Sequence, residues 1–486
     1  MNETKRENHV GTSPSVNGAH AEGEESSEAR DSASPGANDA TTKGSGEASV
    51  GNGAQQGYLD QIGAAGIVGA WFRLTFASLS VRNYRLFYIG QGISLVGTWV
   101  RRTAMGWLVY QLTGSKALLG LIMGLATFPM FVLSPTAGAI ADRVDKRRMI
   151  IVTQIVATLA SAAIAALVFL HWIKVWHLAA LATLSGIAFA FEMPARQAFI
   201  VEMVGREKLM NAIALNSGLV NLSRIFGPAL AGVLMGTIGM GYCFTLDALS
   251  YVIVTVTLFM LVLPSSRKPG RGKSPLKERI MAHFRELQEG AREVRKNRRV
   301  RVVLLMLFMV GVFGWSFQTL MPAIAPDLLK LSETQYGALM SMFGVGAIGG
   351  ALFVASRKSD SNRRMQVFGG VWAMIAGMYL MAIFGTVFGS RPLAFWSVSA
   401  SLVLTGFGAV LFMSTSNTLI QTSVDDSIRG RIMGIWAVAF GGSVPLGAFL
   451  AGFVAQLVSP YLTIAAFATV MLAGSLVVFS ILPTRR

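Results

Sequence analysis

Residues 138–148, GAIADRVDKRR, crowd Asp142, Arg143, Asp145, Lys146, Arg147 and Arg148 into a short turn between two long apolar runs. Apolar stretches of about 20 residues are long enough to cross a bilayer, which confines these charges to a tight loop at the membrane surface. Four of them are cations, and Lys and Arg resist translocation, so the loop marks the cytoplasmic side. The composition agrees. The chain is 53% hydrophobic and only 14% charged, with a mean hydropathy of +0.54, whereas soluble domains carry roughly 25% charge.

Twelve candidate spans follow, roughly 85–111, 117–141, 149–171, 175–199, 213–239 and 242–264, then 301–325, 334–356, 365–387, 393–418, 430–456 and 459–482. The expected fold is an all-α membrane protein of twelve transmembrane helices in two pseudo-symmetric six-helix halves. The halves are 85–264 and 301–486. One set of loops holds Arg143/Lys146/Arg147/Arg148, Arg196/Arg206/Lys208, Arg357/Lys358/Arg363/Arg364 and Arg429/Arg431. The alternating loops hold single cations, Lys116, Lys174, Lys330 and Arg391. That asymmetry predicts both termini in the cytoplasm.

Residues 1–56 lack an apolar core segment and carry nine acids against four bases. They read as a disordered cytoplasmic tail rather than a signal peptide, followed by a juxtamembrane segment, 57–84. Between the halves, the linker 265–300 is strongly basic, with Ile280, Phe284, Leu287, Ala291 and Val294 at helical spacing. This predicts a basic amphipathic helix on the inner leaflet, in contact with anionic lipids. The formal charge of +17 is therefore spent on topology and lipid contact, and no basic–aromatic array suggests a nucleic acid. Cys243 is the only cysteine, which excludes an internal disulfide. Five scattered histidines and the lack of a phosphate-binding glycine loop point to no metal, no cofactor and no enzymatic activity.

The halves repeat at a near-constant offset. Trp99 and Trp315 are 216 residues apart, as are Arg147-Arg148-Met149 and Arg363-Arg364-Met365; Gly227–Gly232 and Gly447–Gly452 are offset by 220. Such a repeat places a substrate site at the interface of the halves.

The loop Gly138, Asp142, Arg143, Asp145, Lys146, Arg147 resembles the signature between helices 2 and 3 of the major facilitator superfamily, with Asp145 where a second glycine is usual. RNYRLF (82–87), WLVYQLTGS (107–115), MPARQAFIVEMVGREKLMNAIALNSGLVNLSRIFGPALAG (193–232) and LQEGAREVRKNRR (287–299) resemble the drug:proton antiporter-3 branch, which exports siderophores and macrolides. The resemblance implies a monomeric inner-membrane exporter of small molecules in exchange for protons. It also implies a conformational switch at Gly138, Asp142, Arg143, Lys146 and Arg147, docking near the start of helix 11 around Arg429–Gly434. Two antiporter features depart from pattern. Ala182 stands where helix 4 often has an arginine, and the helix 5 motif Gly227, Pro228, Gly232 has Ser223 at its first glycine.

Ionisable groups inside spans are the remaining pointers, because each costs about 2.5–3.5 kcal/mol to insert at a helix centre. Arg101, Arg102, Glu192, Arg224 and Asp247 qualify. Depth along the helices suggests Glu192 with Arg224 and Arg102 with Asp247, either for coupling or only to orient helices. Trp99, Arg101, Arg102, Trp315 and Gln318 are substrate-cavity candidates, and cations there would suit an anionic or catechol-like cargo. The function expected is secondary export by alternating access. A lipid or lysolipid flippase of the same fold and a non-transporting membrane scaffold are the rivals.

Overall fold

The computed structural model describes residues 75–262, 276–357 and 362–481. The tail 1–56 and most of the juxtamembrane segment lie outside the described residues. Among those described the chain is helical and contains no strand. The long helices are α1 Arg82–Thr113, α2 Lys116–Ala141, α3 Lys146–Phe169, α4 Val175–Gly205, α5 Glu207–Thr237 and α6 Met240–Met260. A linker helix, Leu276–Lys296, precedes α7 Arg298–Leu328, α8 Glu333–Ser356, α9 Arg363–Phe388, α10 Pro392–Thr422, α11 Asp426–Leu457 and α12 Pro460–Ile481. Eleven of these are long and apolar enough to cross a membrane. The twelfth, α1, has the length, 32 residues, but Arg82, Arg85, Arg101 and Arg102 dilute its apolar character. The protein is a multi-pass membrane protein with twelve helices of spanning length among the described residues.

Local chemistry sets the helix ends. Gly114 closes α1 in the left-handed region at φ 59°. Asp145, the residue replacing the signature glycine, caps α3 by accepting the Arg148 N–H at 2.8 Å. Ser332 and Gln335 form a capping box at α8. The loop expected between the fourth and fifth spans is instead helical, broken only at Gly205, with φ 70° and ψ 175°. The reason is apolar spacing that continues past 199. Phe199, Ile200, Met203, Val204 and Ala212 pack beneath α1 with Tyr84 and Phe87.

The repeat seen in the sequence recurs in the packing. Arg147 donates to the Phe259 carbonyl at the end of α6 at 3.2 Å, and Arg364 donates to Phe479 near the end of α12 at 2.8 Å. In each half an arginine in the first turn of the third span thus satisfies a carbonyl of the last span, where helix ends have spare acceptors. Between the halves two glycine seams correspond. A Cβ on Gly232 of α5 would stand 2.8 Å from the Gly337 Cα of α8, and one on Gly120 of α2 would stand 2.7 Å from the Gly452 Cα of α11. Small residues allow such approach where lipid offers helices no hydrophobic drive to associate.

The linker helix packs on the ends of α2 and α11. Gly290 lets it approach Ile435 and Arg431, and Glu289 pairs with Arg431 at 3.2 Å. The side chains of Ile280, Phe284 and Leu287, on which the leaflet expectation rested, lie outside the described residues.

Candidate functional site

A central cavity lies between the halves. α1 contributes Trp99, Arg102 and Thr103, α2 contributes Met123 and Thr127, and the second half supplies Trp315, Gln318, Tyr336 and Val444. Its volume is about 40 Å³, room for a few waters, so in this conformation a larger molecule is admitted only when the halves part. It is sealed at the end where α1 meets α2. There the Tyr110 hydroxyl donates to Asp327 across the halves, and the Lys116 N–H donates to Gln456 Oε1 at 2.9 Å. Thr334 Oγ1 donates to the Gly232 carbonyl at 3.2 Å, and Trp107 packs on Tyr336 with ring centroids 5.0 Å apart. Both glycine seams belong to this seal. Toward the other end, Gly441, on the α11 face of cavity-lining Val444 and Ala448, has no atom within 4 Å of a Cβ placed on it.

The electrostatics of the cavity centre on Trp99. The Arg102 guanidinium carbon lies 5.4 Å from its ring centroid and that of Arg224 lies 5.5 Å away, within cation–π range. Arg224 also sits 5.8 Å from the Phe343 ring of the second half. Two guanidiniums sharing one ring at these distances stand no more than about 11 Å apart. Allowing for water at exposed Arg102, they repel by on the order of 1 kcal/mol. Among the described residues no carboxylate lies within ion-pair distance of either.

The charge pairs inside the spans differ from those expected. Arg101, not Arg102, meets Asp247, with Nε 2.9 Å from Oδ2. Asp247 is fully buried and accepts a hydrogen bond from Ser161 at 2.5 Å. Glu192 pairs with Arg196 one turn along α4 and accepts from Gln154 Nε2 at 2.9 Å. Arg224 is left against the Trp99 and Phe343 rings. Consecutive residues on a helix point about 100° apart, so Arg101 turns into the first half while Arg102 turns between the halves. Trp315 meets Phe440 and Phe343 edge-on at 5.3 and 6.0 Å, and with Gln318 it lines the wall facing Arg102.

Residues 73–485 match the family described as transmembrane secretion effector. The chain belongs to this family of the major facilitator superfamily. It is 24% identical over 369 residues to the staphyloferrin A transporter of Staphylococcus aureus, covering 75% of this chain and 88% of that protein. It is 26% identical over 389 residues to the multidrug efflux pump Tap of Mycolicibacterium fortuitum, covering 79% and 90%. It is 22% identical over 375 residues to macrolide efflux protein A of Streptococcus pyogenes, covering 77% and 89%. Among solved structures, a POT family transporter in complex with 5-aminolevulinic acid superimposes with a TM-score of 0.64 at 12% identity, covering 82% of this chain and 96% of that one. The nucleoside transporter NupG gives 0.63 at 12% identity, covering 82% and 98%. At such identity the likeness is one of fold.

In this secretion effector the signature loop is tied first to its own half. Lys146 pairs with Glu202 of α4 at 2.6 Å, and Arg147 holds the end of α6. Asp142 is the exposed C-cap of α2, one turn after Gly138, and Arg143 is half-buried beside it. Gly227 lies against α1, where a Cβ on it would stand 3.2 Å from the Val96 carbonyl, while the Pro228 carbonyl lies against Gly337 of α8. Several residues of the effector's cavity and seal had not stood out in the sequence, namely Tyr110, Asp327 and Tyr336, nor had Asn221 beside Arg224. Ser217, Asn221 and Arg224 share one α5 face at helical spacing, and Asn221 donates to the Ser217 carbonyl at 3.0 Å. That polar stripe on an apolar helix was the available signal.

Proposed function

We propose that this effector exports a small amphipathic molecule, siderophore-like or drug-like, across the inner membrane by alternating access in exchange for protons. Both termini face the cytoplasm, and the sealed end faces outward. The observation carrying this reading is the cavity itself. It lies between two repeated halves and is shut at one end by hydrogen bonds and bare glycine contacts that can part without breaking either half. The cation-rich loops lie at the opposite end, as the positive-inside rule requires of a cytoplasmic face. The relatives named as a staphyloferrin A transporter, a macrolide efflux protein and a multidrug efflux pump support the cargo class, and the two efflux names support the direction.

The test is transport in proteoliposomes under an imposed pH gradient, with siderophores, macrolides and lysolipids as cargo and Asp142→Asn as comparison. Gradient-dependent movement that falls at least tenfold in Asp142→Asn is expected. Lysolipid movement indifferent to the gradient identifies a flippase, and no movement of any cargo defeats the transport reading.

A further inference from the structure

The two unpaired guanidiniums that share Trp99 carry information about cargo that general kinship with exporters does not. We propose that the cavity is a receptor for an amphipathic substrate bearing at least two negative charges, its anionic groups on Arg102 and Arg224 and its planar part against Trp99. This rests on the exporter reading above and specifies the substrate class of that same cavity.

Four observations converge. None of the residues lining the cavity is acidic, while Arg102 is among them and Arg224 lies behind the lining, against the ring of Trp99. Charges within spans are expensive and are normally paired; Arg101, one residue earlier, shows the paired alternative with Asp247. The donors of Arg224 are poorly satisfied. Its Nε is buried without a hydrogen-bond partner, and its contact to Asn221 Oδ1 is long at 3.5 Å. Finally, a guanidinium near an aromatic ring can use its face on the ring and keep its N–H edge for a carboxylate or phosphate.

Two charges are specified rather than one because the two cations act on each other. A monoanion neutralises one and leaves the other uncompensated, and a cationic cargo adds a third like charge. Neutral polar parts of the substrate meet Gln318 and Thr319 on the opposite wall. Arg102 and Arg224 belong to the first half, whereas Phe343, Trp315 and Gln318 belong to the second. A bound dianion therefore touches both bodies that must move.

The experiment uses the full-length chain in nanodiscs and a probe series of constant shape: a naphthalene dicarboxylate, its monomethyl ester, its dimethyl ester and a naphthyl amine. Binding is measured by calorimetry. The dicarboxylate is expected to bind at least tenfold tighter than the monoester, with the diester and the amine weaker still. Arg224→Gln and Arg102→Gln each erase the preference of dicarboxylate over monoester, while Arg224→Lys retains part of it. Size-exclusion profiles establish that each variant is folded. Diester or amine binding as tight as the dicarboxylate overturns the proposal, as does a preference unchanged in Arg224→Gln. Transport of neutral cargo without dianion preference leaves the exporter reading intact and defeats this one. Dianion binding with no transport does the reverse.

Discussion

Arg101 and Asp247 meet inside the first half, guanidinium Nε 2.9 Å from carboxylate Oδ2, while Arg102, the very next residue, faces the cavity without a carboxylate. One pair of adjacent arginines is thus divided between holding a half together and facing what passes between the halves. Removing one member of a buried pair leaves the other charged and uncompensated, at a cost of roughly 3–5 kcal/mol. Asp247→Asn is therefore expected to lower the melting temperature in detergent by many degrees. Arg101→Met combined with Asp247→Leu recovers most of that loss, since an apolar pair of similar volume has no charge to desolvate. Equal stability of Asp247→Asn and the native chain would show that the pair contributes nothing.

The glycine seams predict a conformational effect separable from stability. Valine at Gly337 places a side chain where the Gly232 Cα lies 2.6 Å from even a Cβ. Each half keeps its own packing, so Gly337→Val should remain folded but hold the sealed end apart. Spin labels at Lys116 and Lys330, with Cys243 changed to alanine, report this as a longer distance than in the native seam. Transport falls more than tenfold. An unchanged distance distribution sinks this account of the seal.

Asp145 offers a test of local structure. Loss of an N-cap side chain costs typically about 1 kcal/mol when replaced by alanine but only a few tenths with glycine. Asp145→Ala should melt measurably lower, whereas Asp145→Gly should lie close to the native chain. If both variants melt alike, the carboxylate's bond to the Arg148 N–H is not what starts α3.

Much of the architecture was legible from the chain because hydrophobic length and loop charge act locally. The offsets between Trp99 and Trp315 and between Gly232 and Gly452 foretold the matched packing of the two halves. The charge pairs were not legible. Depth along a helix follows from counting residues, but rotation about its axis changes by about 100° per residue, so counting could not choose between Arg101 and Arg102. Glu192 was matched with the wrong arginine for a different reason. With the fourth span expected to end at 199, Arg196 stood only three residues from that end and was grouped with the loop cations Arg206 and Lys208. With α4 running to Gly205, Arg196 lies inside the helix, four residues from Glu192 and on the same face. Tyr110 and Asp327 are 217 residues apart, and no local pattern announces a hydrogen bond between helices of different halves.

The unneutralised arginines on Trp99, by calling for a charged cargo, also make voltage a reactant. Each elementary charge that crosses an inside-negative membrane of 100 mV exchanges about 2.3 kcal/mol with the field. A dianion carried outward travels with that field and contributes about 4–5 kcal/mol to its own expulsion, in addition to anything an entering proton supplies. The turnover of such a carrier is an electric current, and its steady-state gradient of cargo tracks the cell's membrane potential.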